Sequence, residues 1–148
     1  MEGAWFHQLG CYLIVDQSEN KQNVKRIFFA QDRPSQSSDL ARDIIRYIRG
    51  YALKPRVELD FSGLTRFQKN VYAITCQIPR GDTLTYGEVA ELIGKPGASR
   101  AVGQAMSVNP FVIVVPCHRV ISSKGLGGYR WGNEIKQKLL ELEREESF

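Results

Sequence analysis

The sequence predicts a mixed α/β protein of the α+β kind. A small N-terminal lobe, an antiparallel β-sheet with one helix, spans residues 1–56, and a mainly helical C-terminal lobe spans residues 57–148. Three observations carry this expectation. Runs of β-branched and aromatic residues, "WFHQLGCYLIVD" and "VKRIFFA", flank the polar turn "QSENKQN" and read as a hairpin. Apolar residues recur at helical spacing through the last two thirds of the chain. Two Thr-x-x-Gln/Glu signatures, Thr65 to Gln68 and Thr85 to Glu88, have the pattern that closes a helix N-terminus reciprocally.

After the hairpin, "QDRPSQSS" reads as a loop. "DLARDIIRYIRGY" places Leu40, Ala41, Ile44, Ile45 and Ile48 on one helical face, with Gly50 as the stop. "ALKPRVELDFSG" is an extended connector with room for a third strand. The Thr65 box opens a helix with Phe67, Val71, Ile74 and Ile78 on one side, ended by Pro79. The Thr85 box opens another, carrying Val89, Ala90, Leu92 and Ile93 and stopped by Gly94. "ASRAVGQAMS" is a third, broken by Asn109-Pro110. A strand, "VIVVPC", follows, then the glycine-rich loop "SSKGLGGYRWGN" and a last helix with Ile135, Leu139, Leu140 and Leu142.

Composition bounds the function. Hydrophobic residues at 43% and charged residues at 24% are ordinary for a globular protein. No apolar run approaches the roughly 20 residues of a membrane span. The N-terminus has no basic region of the kind that opens a signal peptide. The expected location is cytoplasmic, or nuclear in a eukaryote. The net charge is +4, and its distribution says more. Between Asp60 and Asn133 there are eight Lys/Arg against four Asp/Glu, so the basic part is the middle of the chain. Cys11, Cys76 and Cys117 lie far apart, and with two histidines they form no zinc-ligand spacing, so neither a metal nor a disulfide is expected.

Thr85 to Ser107 is a helix-turn-helix pattern. Its second helix is lined with Ala98, Ser99, Ala101, Gly103 and Ala105 around a single long cation, Arg100. Glycine costs a helix about 1 kcal/mol relative to alanine. Small residues let a backbone approach another surface closely, either a neighbouring helix or a DNA groove.

Cys117 has two readings, a buried thiol or a nucleophile. Pro116 removes a ladder donor just before it, so the strand ends or bulges there. His118, the side chain best able to take a thiol proton near neutral pH, follows it. In an extended chain neighbouring side chains point to opposite faces, so a water relay or a turned backbone is needed. The thiolate is the reactive form, and its pKa must fall from about 8.5. Glu143 on the last helix can orient His118, although Glu141, Glu143, Glu145 and Glu146 also read as a solvated face.

"PCHRV", preceded by "RAVGQAMSVNP" and followed by "SSKGLGGYRWG", resembles the O6-alkylguanine-DNA alkyltransferase family. The upstream "FQKNVYAITCQIPRGDTLTYGEVAELIG" is similar to the same family's first helix and helix-turn-helix opening. The match runs from about Phe61 to Glu143 with near-constant spacing; the N-terminal lobe matches only in coarse layout.

The resemblance implies a DNA repair protein. It would flip O6-alkylguanine, mainly O6-methylguanine with O4-methylthymine as a secondary substrate, out of double-stranded DNA and take the alkyl group irreversibly on Cys117. His118, through a water, and Glu143 would form the relay. Tyr86 would contact the extruded guanine and help neutralise it as it leaves. Arg100 would fill the gap in the base stack, on a helix that enters the minor groove through Ala98, Ser99, Ala101 and Gly103. Asn109 would be the structural hinge before the active-site strand. Val120, Gly127, Gly128, Tyr129, Arg130 and Trp131 would line the base pocket. No cofactor or metal is implied, and the protein would act as a monomer.

The chain departs from the family pattern at "GGYRWG", where many relatives have small residues in place of Arg130 and Trp131. Trp131 reads as a pocket wall or, with slightly more weight, a core aromatic. Arg130 reads as a phosphate contact or a solvated cation. A sister group binds alkylated DNA without chemistry and has tryptophan in place of the box cysteine. Cys117 therefore argues for transfer over the alternative of a non-catalytic binder. A cysteine hydrolase is a third class, indifferent to DNA.

Overall fold

The computed structural model describes residues 1–145. Glu146, grouped above with the acidic helix face, lies outside the described residues. The chain runs β1 (Glu2–Phe6), β2 (Cys11–Gln17), β3 (Val24–Ala30), β4 (Gln36–Ser37), α1 (Asp39–Ile48), α2 (Arg66–Thr75), β5 (Leu84–Thr85), α3 (Tyr86–Leu92), α4 (Ser99–Ser107), β6 (Val120–Ile121) and α5 (Asn133–Arg144). The mixed α/β class stands as expected.

The segment "WFHQLGCYLIVD" is two strands rather than one. A single 3-10 turn at His7–Leu9 ends on Gly10, whose φ of 66° reverses the chain where a side chain would be strained. β1 then pairs antiparallel with β2, and β2 with β3, in the order β3-β2-β1-β4. β4 joins β1 in parallel, so the sheet is not wholly antiparallel. The third strand thus comes from the chain's start. "ALKPRVELDFSG" supplies only one bridge, Val24 to Leu59.

The free edge of β3 is covered, which blocks pairing with foreign strands. One cover is the Leu59 bridge. The other is Phe111 opposite Ile27: Ile27 N donates to Pro110 O at 2.8 Å, and Val112 N donates to Ile27 O at 3.2 Å. The sheet edge is therefore fastened to the segment that leads into Cys117.

α1 starts at Ser38, whose hydroxyl accepts from Ala41 N. It buries Ala41, Ile44, Ile45 and Ile48 against the sheet. Each large side chain so buried contributes roughly 1.5–3 kcal/mol. Leu40, expected on the same face, is only half-buried.

Both capping boxes form, at Thr65/Gln68 and Thr85/Glu88. α2 ends at Thr75, short of Ile78. Pro79 disfavours the helical conformation just before it, and the chain leaves through tight turns in which Gln77 N and Ile78 N donate to Ile74 O and Thr75 O. Ile78 is still buried. Leu92, expected inside, is 60% exposed, because Val89 and Ala90 take the inner face of the short α3. Arg80 ties α1 to α5: its Nη2 donates to Ile48 O at the end of α1 (3.2 Å) and to Leu142 O on α5 (2.9 Å). Among the described residues no helix is long and apolar enough to cross a membrane.

Candidate active site

The strand expected at "VIVVPC" is not a strand. Phe111 to Val120 is buried throughout, but it folds into two successive tight turns. Val114 N donates to Val112 O across Ile113, whose φ is 71°. That is a γ-turn with a β-branched residue in the left-handed region, a strained conformation. Cys117 N then donates to Val115 O across Pro116, a second three-residue turn.

Asn109 holds this arrangement. Its Nδ2 donates to Val115 O at 2.8 Å, and its Oδ1 accepts from Phe111 N at 2.9 Å. It satisfies buried backbone groups that a ladder would otherwise have paired.

Cys117, His118 and Arg119 form a 3-10 turn. Its three-residue repeat rotates successive side chains by about 120° rather than to opposite faces. Cys117 turns into a cleft of about 620 Å³, within the size range of small-molecule sites. His118 turns inward and is fully buried, with Nε2 2.7 Å from Glu143 Oε1. Glu143 also accepts from Arg119, Nε meeting Oε1 and Oε2 at 3.0 and 2.9 Å and Nη2 reaching Oε2. Arg119 completes its set on Ile78 O (2.8 Å) and Tyr47 Oη (2.9 Å). A buried ion pair is tolerated when its remaining donors are satisfied in this way.

Charge follows from geometry. Burial pushes the Glu143 carboxyl up, but hydrogen bonds and charge from His118 and Arg119 outweigh it and hold the pKa below the usual carboxylate value. An ionised carboxylate can only accept, so His118 Nε2 carries the proton and Nδ1 is the basic nitrogen. Burial lowers the His118 pKa against the pull of Glu143, so the ring rests neutral. Nδ1 is buried with no protein partner among the described residues. Burial raises the Cys117 thiol, partly offset by Asn109, the Lys136 ammonium and the Tyr129 hydroxyl. The resting group is therefore a thiol with a neutral imidazole on the next residue of the same turn.

The cleft walls come from α4, through Ser99, Arg100 and Gly103, and from the glycine-rich loop, through Gly128, Tyr129 and Arg130. Tyr86 stands between them, its hydroxyl 3.3 Å from Gly128 O. Gly127 backs Tyr86 rather than lining the cleft: a Cβ there would lie 2.7 Å from Tyr86 Oη. Ala98 caps α4, and Ala101 is half-buried on it; neither reaches the cleft.

Val120 and Trp131 also stand apart from the cleft. Val120 is fully buried because β6 pairs it with Leu84. Trp131 packs edge-on against Phe29 of the sheet, ring centroids 5.7 Å apart, as a core aromatic does. Arg130 lies over Trp131 at 5.0 Å and borders the cleft.

Two buried cations escaped the sequence reading, Arg119 and Lys136. Lys136 precedes Leu139, Leu140 and Glu143 by three, four and seven residues. That spacing on α5 was the available signal that it faces inward.

Residues 66–145 match the family model described as 6-O-methylguanine DNA methyltransferase, DNA binding domain. A methylated-DNA–protein-cysteine methyltransferase of Mycolicibacterium paratuberculosis is 51% identical over 102 residues, 68% of this chain and 61% of that protein. An inducible protein of the same name from Bacillus subtilis is 45% identical over 108 residues, 72% of this chain and 60% of its own. The chain thus spans about three fifths of the length of these curated relatives. The Mycobacterium tuberculosis OGT crystallised in complex with DNA superposes with a TM-score of 0.79 at 36% identity, covering 97% of this chain and 91% of that one. The O6-methylguanine-DNA methyltransferase of the archaeon Pyrococcus kodakaraensis gives 0.73 at 31%, covering 90% and 91%.

Proposed function

We propose that this chain, which belongs to the 6-O-methylguanine DNA methyltransferase family, repairs O6-alkylguanine in duplex DNA by a single irreversible transfer of the alkyl group to Cys117. One observation carries the reading: the thiol backed by His118 and Glu143 opens into the same cleft that α4 borders with Arg100. A nucleophile and a candidate DNA-reading helix share one cavity.

α4, with its small residues, lies in the DNA groove, and Arg100 occupies the space left by the extruded nucleotide. Flipping costs a few kcal/mol, and the inserted cation offsets part of it. The base enters between Tyr86 and the Gly128–Arg130 loop. The Cys117 proton leaves through a water to His118 Nδ1, and Glu143 stabilises the resulting imidazolium. Sulfur attacks the alkyl carbon; the C–S bond forms as the C–O6 bond breaks, and the electron pair passes into guanine. Tyr86 passes its hydroxyl proton to the departing base and recovers one from solvent, to which the His118 imidazolium returns the thiol proton, so proton and charge balance. The thioether has no easy reverse path, which makes the protein a single-turnover reagent.

This set needs no cofactor. The boundary between lobes falls at residues 56 and 57, the protein acts as a monomer, and it works in the cytoplasm or, in a eukaryote, the nucleus. The non-catalytic binder would keep lesion affinity but gain no mass. Incubation with a duplex containing O6-methylguanine separates the two: transfer adds one methyl per molecule, and binding alone adds none.

A further inference from the structure

We infer that Arg130 is a phosphate-binding residue: its guanidinium, held at the opening of the cleft by Trp131, grips a phosphodiester that flanks the extruded nucleotide. The inference rests on the proposed entry of the flipped base into this cleft, and it adds a second cation to that step.

Cys117, 5% exposed, lies at the floor of the cleft, while Arg130, exposed on the glycine-rich loop, borders its opening. Arg100 borders it from α4. Among the described residues no aspartate or glutamate lines the cleft, and neither arginine takes part in an ion pair. Two guanidinium groups without a carboxylate give the opening a positive potential. Arg100, on the helix assigned to the groove, fills the gap in the base stack. Arg130 stands on the other wall and is left to face the anion that accompanies the base.

Its surroundings hold the guanidinium without consuming its donors. The group lies over the Trp131 ring, 5.0 Å from the centroid. Contact through the flat face leaves the N–H groups, which point outward in the guanidinium plane, available to a ligand. Trp131 packs edge-on against Phe29 at 5.7 Å, so the support reaches back to β3. The loop is fixed as well, since Lys136 Nζ donates to Val120 O, Leu126 O and Gly128 O. A side chain already held in place loses less freedom on binding.

The direction of the base decides which anion reaches Arg130. The O6 edge must meet the Cys117 sulfur at the floor, so the sugar and its two phosphates remain at the opening. A charge on the alkyl group would sit beside Cys117 instead. Guanidinium and phosphate pair through charge-assisted, often bidentate, hydrogen bonds. A contact made only once the nucleotide has left the helix favours the extruded state and offsets part of the cost of flipping.

The test uses the full chain, Arg130→Gln and Arg130→Lys. The substrates are a duplex with one O6-methylguanine and two further duplexes, each with a neutral methylphosphonate at one of the phosphates flanking the lesion. Single-turnover methyl transfer is followed at subsaturating duplex. One of the methylphosphonates should slow the wild type by about tenfold, the low end for a hydrogen bond to a charged group. Arg130→Gln should be slowed by about the same factor on the ordinary duplex and lose nothing more to that methylphosphonate. Binding of the ordinary duplex is measured separately in a Cys117→Ser background, which lacks the acceptor sulfur. There the fall of log affinity with log salt should be shallower by about one in Arg130→Gln, and Arg130→Lys should keep the parent slope.

An Arg130→Gln that stays as sensitive as the wild type to both methylphosphonates overturns the inference, and so does an unchanged salt slope. A wild type indifferent to both methylphosphonates overturns it as well. Should the wild type transfer no methyl to Cys117, the functional reading fails, while the salt slopes still judge Arg130.

Discussion

Glu143 accepts from His118 at 2.7 Å and from Arg119 with both carboxylate oxygens, so one buried carboxylate orients both residues that follow Cys117. The same guanidinium donates to Tyr47 of α1 at 2.9 Å. The buried hydrogen-bonded cluster behind Cys117 is therefore tied to α1 as well as to α5.

This arrangement sets an acid limit on stability. The folded His118 pKa is held below its ordinary value of about 6.5, and the folded Glu143 pKa below about 4.3. For both groups the unfolded chain binds protons first as pH falls. Their stabilisation is complete above the unfolded values and is lost as pH falls towards the folded ones. Urea unfolding across a pH series should show stability declining below about 6.5 and again below about 4.3. Glu143→Gln should weaken the lower decline and cost about 3 kcal/mol near neutral pH by leaving Arg119 unpaired. Parallel curves for the two proteins would contradict the assignment.

Asn109→Ala should destabilise by about 2 kcal/mol or more, because the Phe111 N–H and the Val115 carbonyl are buried and lose their partner. Methyl transfer should fall further than stability does, since the turn that presents Cys117 relaxes. Denaturation midpoints and single-turnover rates on the same preparation check both.

These turns also show where sequence reading stops. Thr65/Gln68 and Thr85/Glu88 were legible because a capping box is complete within four residues. "VIVV" reads as a strand because β-branched residues favour one. The positive φ at Ile113 is imposed by Asn109 and by the sheet edge at Ile27, contacts that no local window contains. In the site, Cys117, His118, Tyr86 and Arg100 were visible as motif residues. Lys136 was not, because a lysine on a charged helix reads as solvated until its three carbonyl partners are known. Trp131 was read two ways, and only the position of Phe29 decides between them.

Gly127→Ala should damage the pocket where Gly125→Ala does not. At residue 127 the φ of 74° strains any side chain, and the new Cβ would sit 2.7 Å from Tyr86 Oη; at residue 125 the space is open. The first change should cost at least about 1 kcal/mol and slow transfer by displacing Tyr86. Equal rates for the two variants would exclude the packing argument.

Arg100→Ala should slow transfer from duplex DNA by about tenfold or more, the equivalent of about 1.4 kcal/mol of lost flipping support. Transfer from free O6-methylguanine base, which needs no flipping, should be unchanged. A matched loss on both substrates would place Arg100 in the chemistry rather than in extrusion.

The central claim is one alkyl group, moved once, to one sulfur. Its direct measurement is the intact mass of the protein after incubation with excess duplex containing O6-methylguanine, followed by peptide mapping. The account predicts a gain of one methyl per molecule, confined to the peptide carrying Cys117 and lost in Cys117→Ser. Turnover beyond one equivalent, label on Cys11 or Cys76, or no gain in mass would contradict it.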